Sequence, residues 1–413
     1  MRISILTYGT RGDVQPFIGL GRRLVEAGHR VQIATHTNFE AFVKGYGLDY
    51  LAVGGDATQL IRQLMNAGTD NIAFIKAWET HFAPIMEETM DTFWFGTQDA
   101  DVYIFNPFGA FSHQVAEKRG VGCIRTALYP FARTRTTPLF LMPLLPLGGG
   151  YNAVSYDIYE QATQLMCRPY VNRWRKKHGM REHRLFEYPY NTLNGKPVPA
   201  LLSYSEHLVP RPADWGAHIH ATGFWWLDAP SQWQAPVELL RFLDHGDAPI
   251  YVGFGSLSGN DNYQHLIRSA LEALRECGQR AILVSAWGEL KGLELPPNVF
   301  AIDNAPHDWL FPRVKAVIHH GGAGTTSAGL RAGCPTIIAP YFGDQPFWGE
   351  RVAALGVGSR AIPQQSLTAK NLAEAIHLVT TDPSIRKNAC ILGEKLRAED
   401  GAKNAVAALE SLV

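Results

Sequence analysis

Residues 317–326 have the sequence VIHHGGAGTT. The apolar start predicts the end of a strand, the glycines predict a tight turn, and the chain from Thr325 to Ala332 is predicted to form the following helix. Backbone N–H groups at a helix start point outward and the helix dipole favours an anion, so this turn is suited to a diphosphate. His320 and Thr325 can add side-chain donors. The alternative is an ordinary strand-to-helix turn with buried histidines.

Strands and helices alternate on both sides of this turn. The second half of the chain predicts strands at 249–253, 281–285, 316–319 and 336–339, with a helix at 263–276. The first half predicts strands at 3–7, 31–34, 101–106 and 121–126, with a helix at 15–27. This alternation predicts parallel sheets with crossover helices. The expected fold class is therefore α/β, with two Rossmann-like domains that face each other across a cleft.

The domain boundaries follow from a change in composition. Residues 210–236 are rich in Pro and Trp and have no clear period, which is typical of a linker. We expect an N-terminal domain at 1–208, a linker at 209–246 and a C-terminal domain at 247–413, whose last helix could pack back on the N-terminal domain. Ligands of such open sheets bind beyond the carboxyl ends of the strands.

Composition excludes several classes of protein. The 38 basic and 38 acidic residues balance, which argues against nucleic acid as a partner. The five cysteines are widely spaced without a C-x-x-C pair, so a disulfide framework and a structural zinc site are not expected, and a reducing cytoplasm fits best. No stretch approaches the roughly 18–20 apolar residues of a spanning helix, and the first apolar run is too short for a signal peptide.

Two further segments carry polar groups suited to a nucleotide sugar. Asp344 and Gln345 offer acceptors and donors for vicinal sugar hydroxyls, although for this tetrapeptide in isolation a simple turn around Gly343 and Pro346 is the favoured interpretation. The loop at 302–310 could present backbone groups to the edge of a base. Trp287 could stack on that base or pack in the core.

Five motifs together resemble a known family. They are GTRGDVQP at 9–16, GFGSL at 253–257, APHDWL at 305–310, HGGAGT at 320–325 and GDQP at 343–346. In order and spacing they resemble the inverting nucleotide-sugar glycosyltransferases with the GT-B fold, above all the sterol 3β-glucosyltransferases and the bacterial antibiotic glycosyltransferases. The resemblance spans residues 1–413 and is loose between about 139 and 202, where acceptor choice is expected.

The resemblance implies that the N-terminal domain binds the acceptor and that the C-terminal domain binds the nucleotide sugar. The phosphate side of the cleft is assigned to Thr10, Arg11 and Gly12. Acceptor contacts are assigned to His113, Phe131, Phe140 and Leu144. The donor contacts implied are Gly255, Ser256, Trp287, Ala305, His307, His320, Gly322, Ala323, Gly324, Thr325, Asp344 and Gln345.

An inverting transfer needs a general base, because the acceptor hydroxyl loses its proton as it attacks the anomeric carbon. Asp13 follows the first predicted strand and matches the base of the similar antibiotic enzymes. Asp is also a favoured residue at helix starts, so a capping role is the alternative. His113 is a weaker candidate for base or orienting partner. Because no D-x-D triplet follows a strand, we expect neither a metal ion nor a permanently bound cofactor.

The resemblance makes UDP-glucose the first expected donor and a lipophilic hydroxyl compound, such as a sterol, the acceptor. Transfer of a dTDP-sugar to an antibiotic aglycone and a non-catalytic nucleotide-sugar-binding protein of the same fold stay open. A dinucleotide oxidoreductase is disfavoured, because residues 9–21 lack a G-x-G-x-x-G. A monomer or weak dimer is expected.

Residues 139–184 combine a Pro-broken apolar run with six basic residues near their end. Such a segment can contact an anionic membrane surface. The favoured interpretation is a solvated helix face beside a lid over the acceptor.

Overall fold

The computed structural model describes residues 1–56, 75–143, 145–187, 190–229, 233–255, 261–284 and 295–412. They divide into two units. Unit 1 comprises Met1–Glu206, Pro210–Leu227 and Asp400–Val413, and unit 2 comprises His207–Val209 and Asp228–Glu399.

Unit 1 is built on a parallel sheet of seven strands, with the order β3-β2-β1-β4-β5-β8-β9. Strands β1 to β5 are Arg2–Leu6, Arg30–His36, Asp49–Val53, Val102–Phe105 and Gly122–Ala127. The short strands β6 and β7, Thr192–Leu193 and Lys196–Pro197, form an antiparallel pair, and β8 and β9 are Ala200–Leu202 and Ile219–Ala221. The central strands are almost wholly buried, as expected for a sheet covered on both faces.

The described helices of unit 1 cover that sheet. They are α1 Arg11–Glu26, α2 Glu40–Lys44, α3 Ala83–Gly96, α4 His113–Arg119 and α5 Gly148–Lys177. A π-helical turn at Trp78–Phe82 leads into α3, and 3₁₀ turns lie at Thr37–Phe39 and Pro107–Ser112.

Unit 2 repeats the arrangement with five parallel strands in the order β12-β11-β10-β13-β14. Strands β10 to β14 are Ile250–Gly253, Ala281–Val284, Val299–Ile302, Ala316–His319 and Thr336–Ile338. Its described helices are α6 Val237–Asp244, α7 Asp261–Glu276, α8 His307–Leu310, α9 Ala323–Arg331, α10 Gln345–Ala354, α11 Ala369–Thr381 and α12 Pro383–Ala398. The last helix, α13 Gly401–Leu412, belongs to unit 1.

Both sheets have the strand order of a Rossmann fold, which confirms the predicted fold class. In each sheet the order reverses beside the first strand, between β1 and β4 in unit 1 and between β10 and β13 in unit 2. A crevice forms at such a reversal, outside the carboxyl ends of the strands, and ligands bind there. The loops after β1, β4, β10 and β13 are therefore the places to examine for chemistry.

The stretch expected to be a linker, 209–246, is largely structured in its described part. Its first portion contains β9 and the buried Trp225, which packs edge-on against Phe17 of α1 at 5.4 Å in unit 1. Its later portion contains α6 in unit 2. The Trp-rich composition that looked irregular in sequence reflects side chains that fill the core.

The C-terminal helix α13 packs within unit 1. Ala402, Ala405 and Leu409 are buried in the same cluster as the apolar face of α1. At the start of α13, a Cβ on Gly401 would lie 2.3 Å from the carbonyl carbon of Gly223, so only glycine permits this approach. In the part of the chain that the structure describes, no helix is both long and apolar enough to cross a bilayer.

Candidate functional site

The turn after β13 presents unpaired backbone donors at the reversal of the second sheet. Helix α9 begins at Ala323. Its N-cap residue is Gly322, which has no side chain to accept hydrogen bonds from the N–H groups of the first turn. The first N–H groups of a helix have no intrahelical partner, so those of Ala323, Gly324 and Thr325 are suited to bind an anion. A Cβ built on Gly324 meets no atom within 4 Å, which shows open space in front of this helix start.

His319 holds the shape of this turn. It is fully buried, and its Nδ1 accepts a hydrogen bond from the Gly321 N–H at 2.9 Å. Burial lowers the pKa of His319 well below its usual range, so the ring is neutral. A buried histidine, as expected for an ordinary strand-to-helix turn, is therefore present. The same histidine also fixes the Gly321 backbone in the turn that is suited to bind an anion.

His320 lies between two glycines. A Cβ on Gly255, which follows β10 with φ +77°, would lie 2.8 Å from the His320 Nδ1, and one on Gly322 would lie 2.6 Å from Nε2. Burial lowers the pKa of His320 to about 4. At neutral pH this imidazole is a neutral hydrogen-bonding group rather than a cation.

Asp344 and Gln345 lie against the same turn. A Cβ on Gly321 would come within 3.1 Å of the Gln345 carbonyl oxygen, so the two segments are in contact. Asp344 accepts from the Trp348 indole N–H at 2.8 Å, and the buried Gln345 Oε1 accepts from the Tyr341 N–H at 2.8 Å. Both side chains thus shape the turn before α10. The Gln345 amide nitrogen has no hydrogen-bond partner among the described residues, and it can serve a ligand.

Ala305 and His307 follow β12 on the same sheet. Ala305 is buried, and the His307 ring stacks on Phe311 at 4.4 Å. The His307 side chain is thus occupied by packing, and the backbone is the part of this loop suited to contact a base edge.

Three predicted site residues lie outside the described residues: Ser256, Trp287 and Leu144.

In unit 1, Asp13 is fixed by the turn after β1. Its Oδ2 accepts hydrogen bonds from the Thr10 N–H at 2.7 Å and the Thr10 hydroxyl at 3.0 Å. A Cβ on Gly9, which has φ +132°, would lie 2.3 Å from the same oxygen, so this turn requires glycine. In the described part of the chain, no hydrogen bond reaches Oδ1. The carboxylate therefore caps α1 with one oxygen and leaves the other without a hydrogen bond to the described residues.

Burial raises the pKa of Asp13 to about 6, against the opposing hydrogen bonds from the Thr10 backbone and hydroxyl. A carboxylate with this pKa is ionised at neutral pH and is more basic than an ordinary aspartate. Arg11 is turned along the helix, where its guanidinium contacts the Gln15 side chain at 3.2 Å and covers the Phe42 ring at 4.6 Å. Gly12 is exposed at the helix start.

The predicted acceptor residues Phe131 and Phe140 come together in unit 1, with ring centroids 6.3 Å apart. Tyr129 and Tyr159 complete a half-buried aromatic cluster, with centroids 4.6 Å from Phe140 and 5.3 Å from Phe131. Of these two tyrosines, Tyr129 had no site role assigned from the sequence, and Tyr159 is brought in by the long helix α5, whose extent the sequence did not predict. Tyr129 follows β5, so the cluster lies at the carboxyl edge of the sheet.

His113 starts α4, shortly after the end of β4, and is 3% exposed. Neither of its ring nitrogens has a hydrogen-bond partner among the described residues. Burial lowers the pKa of His113 to about 4, so it is neutral. A neutral, buried ring with unsatisfied nitrogens can orient a hydroxyl but cannot supply a positive charge.

The basic segment near the end of α5 is mostly paired with acids. Arg175 is buried and bonds Glu117 at 2.6 Å, while Lys177 bonds Asp91 at 2.6 Å. Arg173 and Arg181 are likewise within 3.3 Å of Glu87 and 2.8 Å of Glu187. Four of the six basic residues are thus paired with acids of unit 1. No group of three or more His, Cys, Asp or Glu side chains suited to a metal ion occurs among the described residues.

Two family models match the chain. Residues 3–138 match the glycosyltransferase family 28 N-terminal domain, and residues 271–412 match the erythromycin biosynthesis protein CIII-like C-terminal domain. The first match includes Asp13 and His113, and the second includes the turn after β13.

Curated relatives match nearly the whole chain. A sterol 3-beta-glucosyltransferase of Cryptococcus neoformans is 37% identical over 99% of this chain and 27% of its own length. A sterol 3-beta-glucosyltransferase of Arabidopsis thaliana is 39% identical over 99% of this chain and 65% of its own length. The chain thus spans about a quarter of the fungal relative and two-thirds of the plant relative.

Solved structures of similar fold are antibiotic glycosyltransferases. The glycosyltransferase of kitacinnamycin superposes with a TM-score of 0.74 at 20% identity, over 99% of this chain and 98% of its own. At that identity the likeness concerns the fold.

Proposed function

We propose that the chain transfers glucose from UDP-glucose to the hydroxyl of a sterol-like acceptor with inversion. Its GT-B fold and its homology over nearly its whole length to sterol 3-beta-glucosyltransferases support this proposal. The position and the raised pKa of Asp13 are the observations that support this mechanism most directly. Its half-buried carboxylate lies at the carboxyl end of β1, and burial raises its pKa to about 6.

The donor is proposed to bind at the carboxyl edge of the second sheet. The diphosphate lies on the start of α9, where helix N–H groups meet the negative charge that grows as the glycosidic bond breaks. The neutral His320 adds a hydrogen bond. Asp344 and the Gln345 amide hold the sugar hydroxyls, while the Ala305 backbone contacts the uracil edge. The roles of Ser256 and Trp287 rest on the resemblance alone.

The reaction then follows from the charges. The acceptor oxygen attacks the anomeric carbon, the bond from that carbon to the diphosphate oxygen breaks, and the acceptor proton passes to Asp13. The Thr10 hydrogen bonds hold Oδ2, so Oδ1 is the oxygen proposed to take the proton. Backbone donors and a neutral histidine carry the leaving group, and we propose that no divalent ion takes part.

The acceptor is proposed to lie on the aromatic cluster of Tyr129, Phe131, Phe140 and Tyr159. Half-buried aromatic faces suit a flat, apolar ring system with one hydroxyl. His113 is proposed to orient that hydroxyl through a ring nitrogen. The neighbouring apolar residues Leu141 and Leu147 are exposed, whereas the basic end of α5 is paired, so we propose that this segment is a lid over the acceptor rather than a lipid anchor.

The test is a product screen by mass spectrometry. Purified protein is incubated with UDP-glucose or a dTDP-sugar and a panel of sterols, macrolides and polyphenols, with and without EDTA. Expected is a hexosyl-sterol from UDP-glucose that survives EDTA. Preference for a dTDP-sugar with a macrolide would favour the antibiotic reaction, nucleotide-sugar binding without any product would favour the non-catalytic protein, and loss in EDTA restored by magnesium would overturn metal independence.

A further inference from the structure

The turn that carries Asp13 is fastened to a neighbouring strand by one buried side chain. Strands β1 and β4 run parallel with Leu6 opposite Phe105, so their carboxyl ends lie side by side. The ladder continues one step further, where the Asn106 N–H donates to the Leu6 carbonyl at 3.2 Å. Beyond that step the backbones separate, and the Asn106 side chain takes over.

Asn106 binds the main chain of Tyr8 on both sides. Its Nδ2 donates to the Tyr8 carbonyl at 2.6 Å, and its Oδ1 accepts from the Tyr8 N–H at 3.3 Å. Oδ1 also accepts from the Gly109 N–H at 2.9 Å. Asn106 is 3% exposed, so water cannot readily replace its side chain as the hydrogen-bond partner of these backbone groups. The side chain acts as a peptide group that extends the sheet by one residue.

Tyr8, whose backbone is bound by Asn106, directly precedes the glycine of the turn that carries Asp13. Its ring is buried, with an edge-to-face contact to His36 at 4.4 Å. Gly9 follows directly, with its α-carbon hydrogen against the Asp13 carboxylate, and Thr10 then donates to that carboxylate. A shift in the Tyr8 backbone would therefore move Thr10, which donates to the Asp13 carboxylate, and Gly9, which packs against that carboxylate.

We propose that Asn106 is a positioning residue for the general base, holding the turn from Tyr8 to Asp13 through the two backbone bonds to Tyr8. This inference rests on the proposed role of Asp13. The competing explanation is that Asn106 only caps the 3₁₀ turn at Pro107–Ser112 through Gly109. Capping alone would stabilise the fold without any effect on the Asp13 carboxylate.

The test compares Asn106→Ala and Asn106→Ser with the wild type in three measurements: kcat at saturating acceptor, UDP affinity, and the titration of the Asp13 carboxyl carbon by NMR. The Asp13 signal is identified by its loss in Asp13→Asn. Misplacement of a catalytic group by about an ångström costs roughly tenfold to a hundredfold in rate. Expected is a fall in kcat of that size at unchanged UDP affinity. The Asp13 titration should move from about 6 toward the ordinary aspartate value of 3.8 as water reaches the loosened turn. Asn106→Ser keeps one polar group and covers the case in which the alanine variant does not fold.

Asn371 supplies a matched control. It also accepts from a backbone N–H, that of Thr368 at 2.9 Å, and donates to a carbonyl, that of Ser366 at 2.8 Å, at the start of α11. Asn371→Ala should leave kcat and the Asp13 titration unchanged. A folded Asn106 variant with a wild-type Asp13 titration would overturn the inference, whatever its kcat. If Asp13 is not the base, Asp13→Asn will keep near-wild-type turnover. In that case the titration of Asp13 in the Asn106 variants would still decide whether Asn106 positions Asp13.

Discussion

A buried carboxylate at a helix start experiences two opposing influences, and Asp13 shows both. Removal from water disfavours its charge, while the Thr10 N–H and hydroxyl stabilise that charge. The balance leaves it ionised at neutral pH but basic enough to accept a proton. Capping and the proposed base catalysis, which the sequence presents as alternatives, are compatible, because capping uses Oδ2 and the proposed proton transfer uses Oδ1.

The pH dependence of turnover should report this balance. Asp13 must be deprotonated to act as the base, so kcat/KM for the acceptor should rise with pH through about 6 and then stay level. Stability should change in the opposite direction. The folded state holds the Asp13 proton more tightly than the unfolded chain, so this group's contribution to the free energy of unfolding falls as pH rises from about 4 to about 6. Urea unfolding of the wild type and of Asp13→Asn across this range would measure it, and equal slopes in the two proteins would contradict it.

Gly255 tests the placement of His320. Gly255→Ala puts a Cβ 2.7 Å from the His320 ring and should weaken UDP binding by roughly tenfold, the loss of about one hydrogen bond. Gly278→Ala is the matched control, because Gly278 also has a positive φ, +61°, but a Cβ there meets no atom within 4 Å. The positive φ should cost each variant about 1 kcal/mol of stability, and the clash with the His320 ring adds to that cost in Gly255→Ala. Calorimetry should separate the two variants by UDP affinity. Equal affinities would show that the His320 position is irrelevant to the nucleotide.

At the scale of elements, local patterns predicted the strands and turns that surround the site. The helix predicted at 325–332 is α9, Ala323–Arg331, and the strand before it is β13. Periodicity succeeds there because the strands are short and apolar, and because the turn glycines Gly9 and Gly321 closely follow β1 and β13. Helix α5 was not predicted, because Gly148–Gly150 and Pro169 interrupt its pattern and tertiary contacts override them. Phe131 and Phe140 were expected acceptor contacts, but their packing with Tyr129 and Tyr159 and the bonds of Asn106 depend on long-range contacts that spacing along the chain could not reveal.

The basic end of α5 should behave as structure. Arg175→Met leaves Glu117 and Gln114 without their buried partner, which costs up to about 3–5 kcal/mol. Arg173→Met removes only an exposed pair with Glu87 and should cost less than about 1 kcal/mol. Chemical unfolding measures both. Similar small losses, together with reduced binding to anionic liposomes, would instead support a membrane-facing role.

At the scale of the molecule, the chain returns to unit 1 for its last helix. Helix α13 buries Ala405 and Leu409 in the same cluster as the apolar face of α1. At its two ends, Asp400 pairs with Arg23 of α1 and Glu410 bonds His29, which follows α1. Family models and relatives match both units, but neither predicts which contacts support the turn that carries Asp13.

Leu409→Ala should therefore destabilise unit 1 by about 2–5 kcal/mol, because it empties a fully buried site. Leu412→Ala, at a partly buried position of the same helix, should cost less. Scanning calorimetry should show the transition of unit 1 moving down while that of unit 2 stays in place. Movement of the unit 2 transition alone would contradict the assignment of α13.

The central claim is that Asp13 removes the acceptor proton while unit 2 holds the donor. The most direct measurement is the single-turnover rate of glucose transfer in the wild type and in Asp13→Asn at saturating acceptor, with UDP affinity measured on the same samples. The amide can still accept the Thr10 hydrogen bonds but cannot take a proton. The expected result is a rate lower by about two to four orders of magnitude at unchanged UDP affinity. A near-wild-type rate in Asp13→Asn would contradict the claim and leave Asp13 as a helix cap.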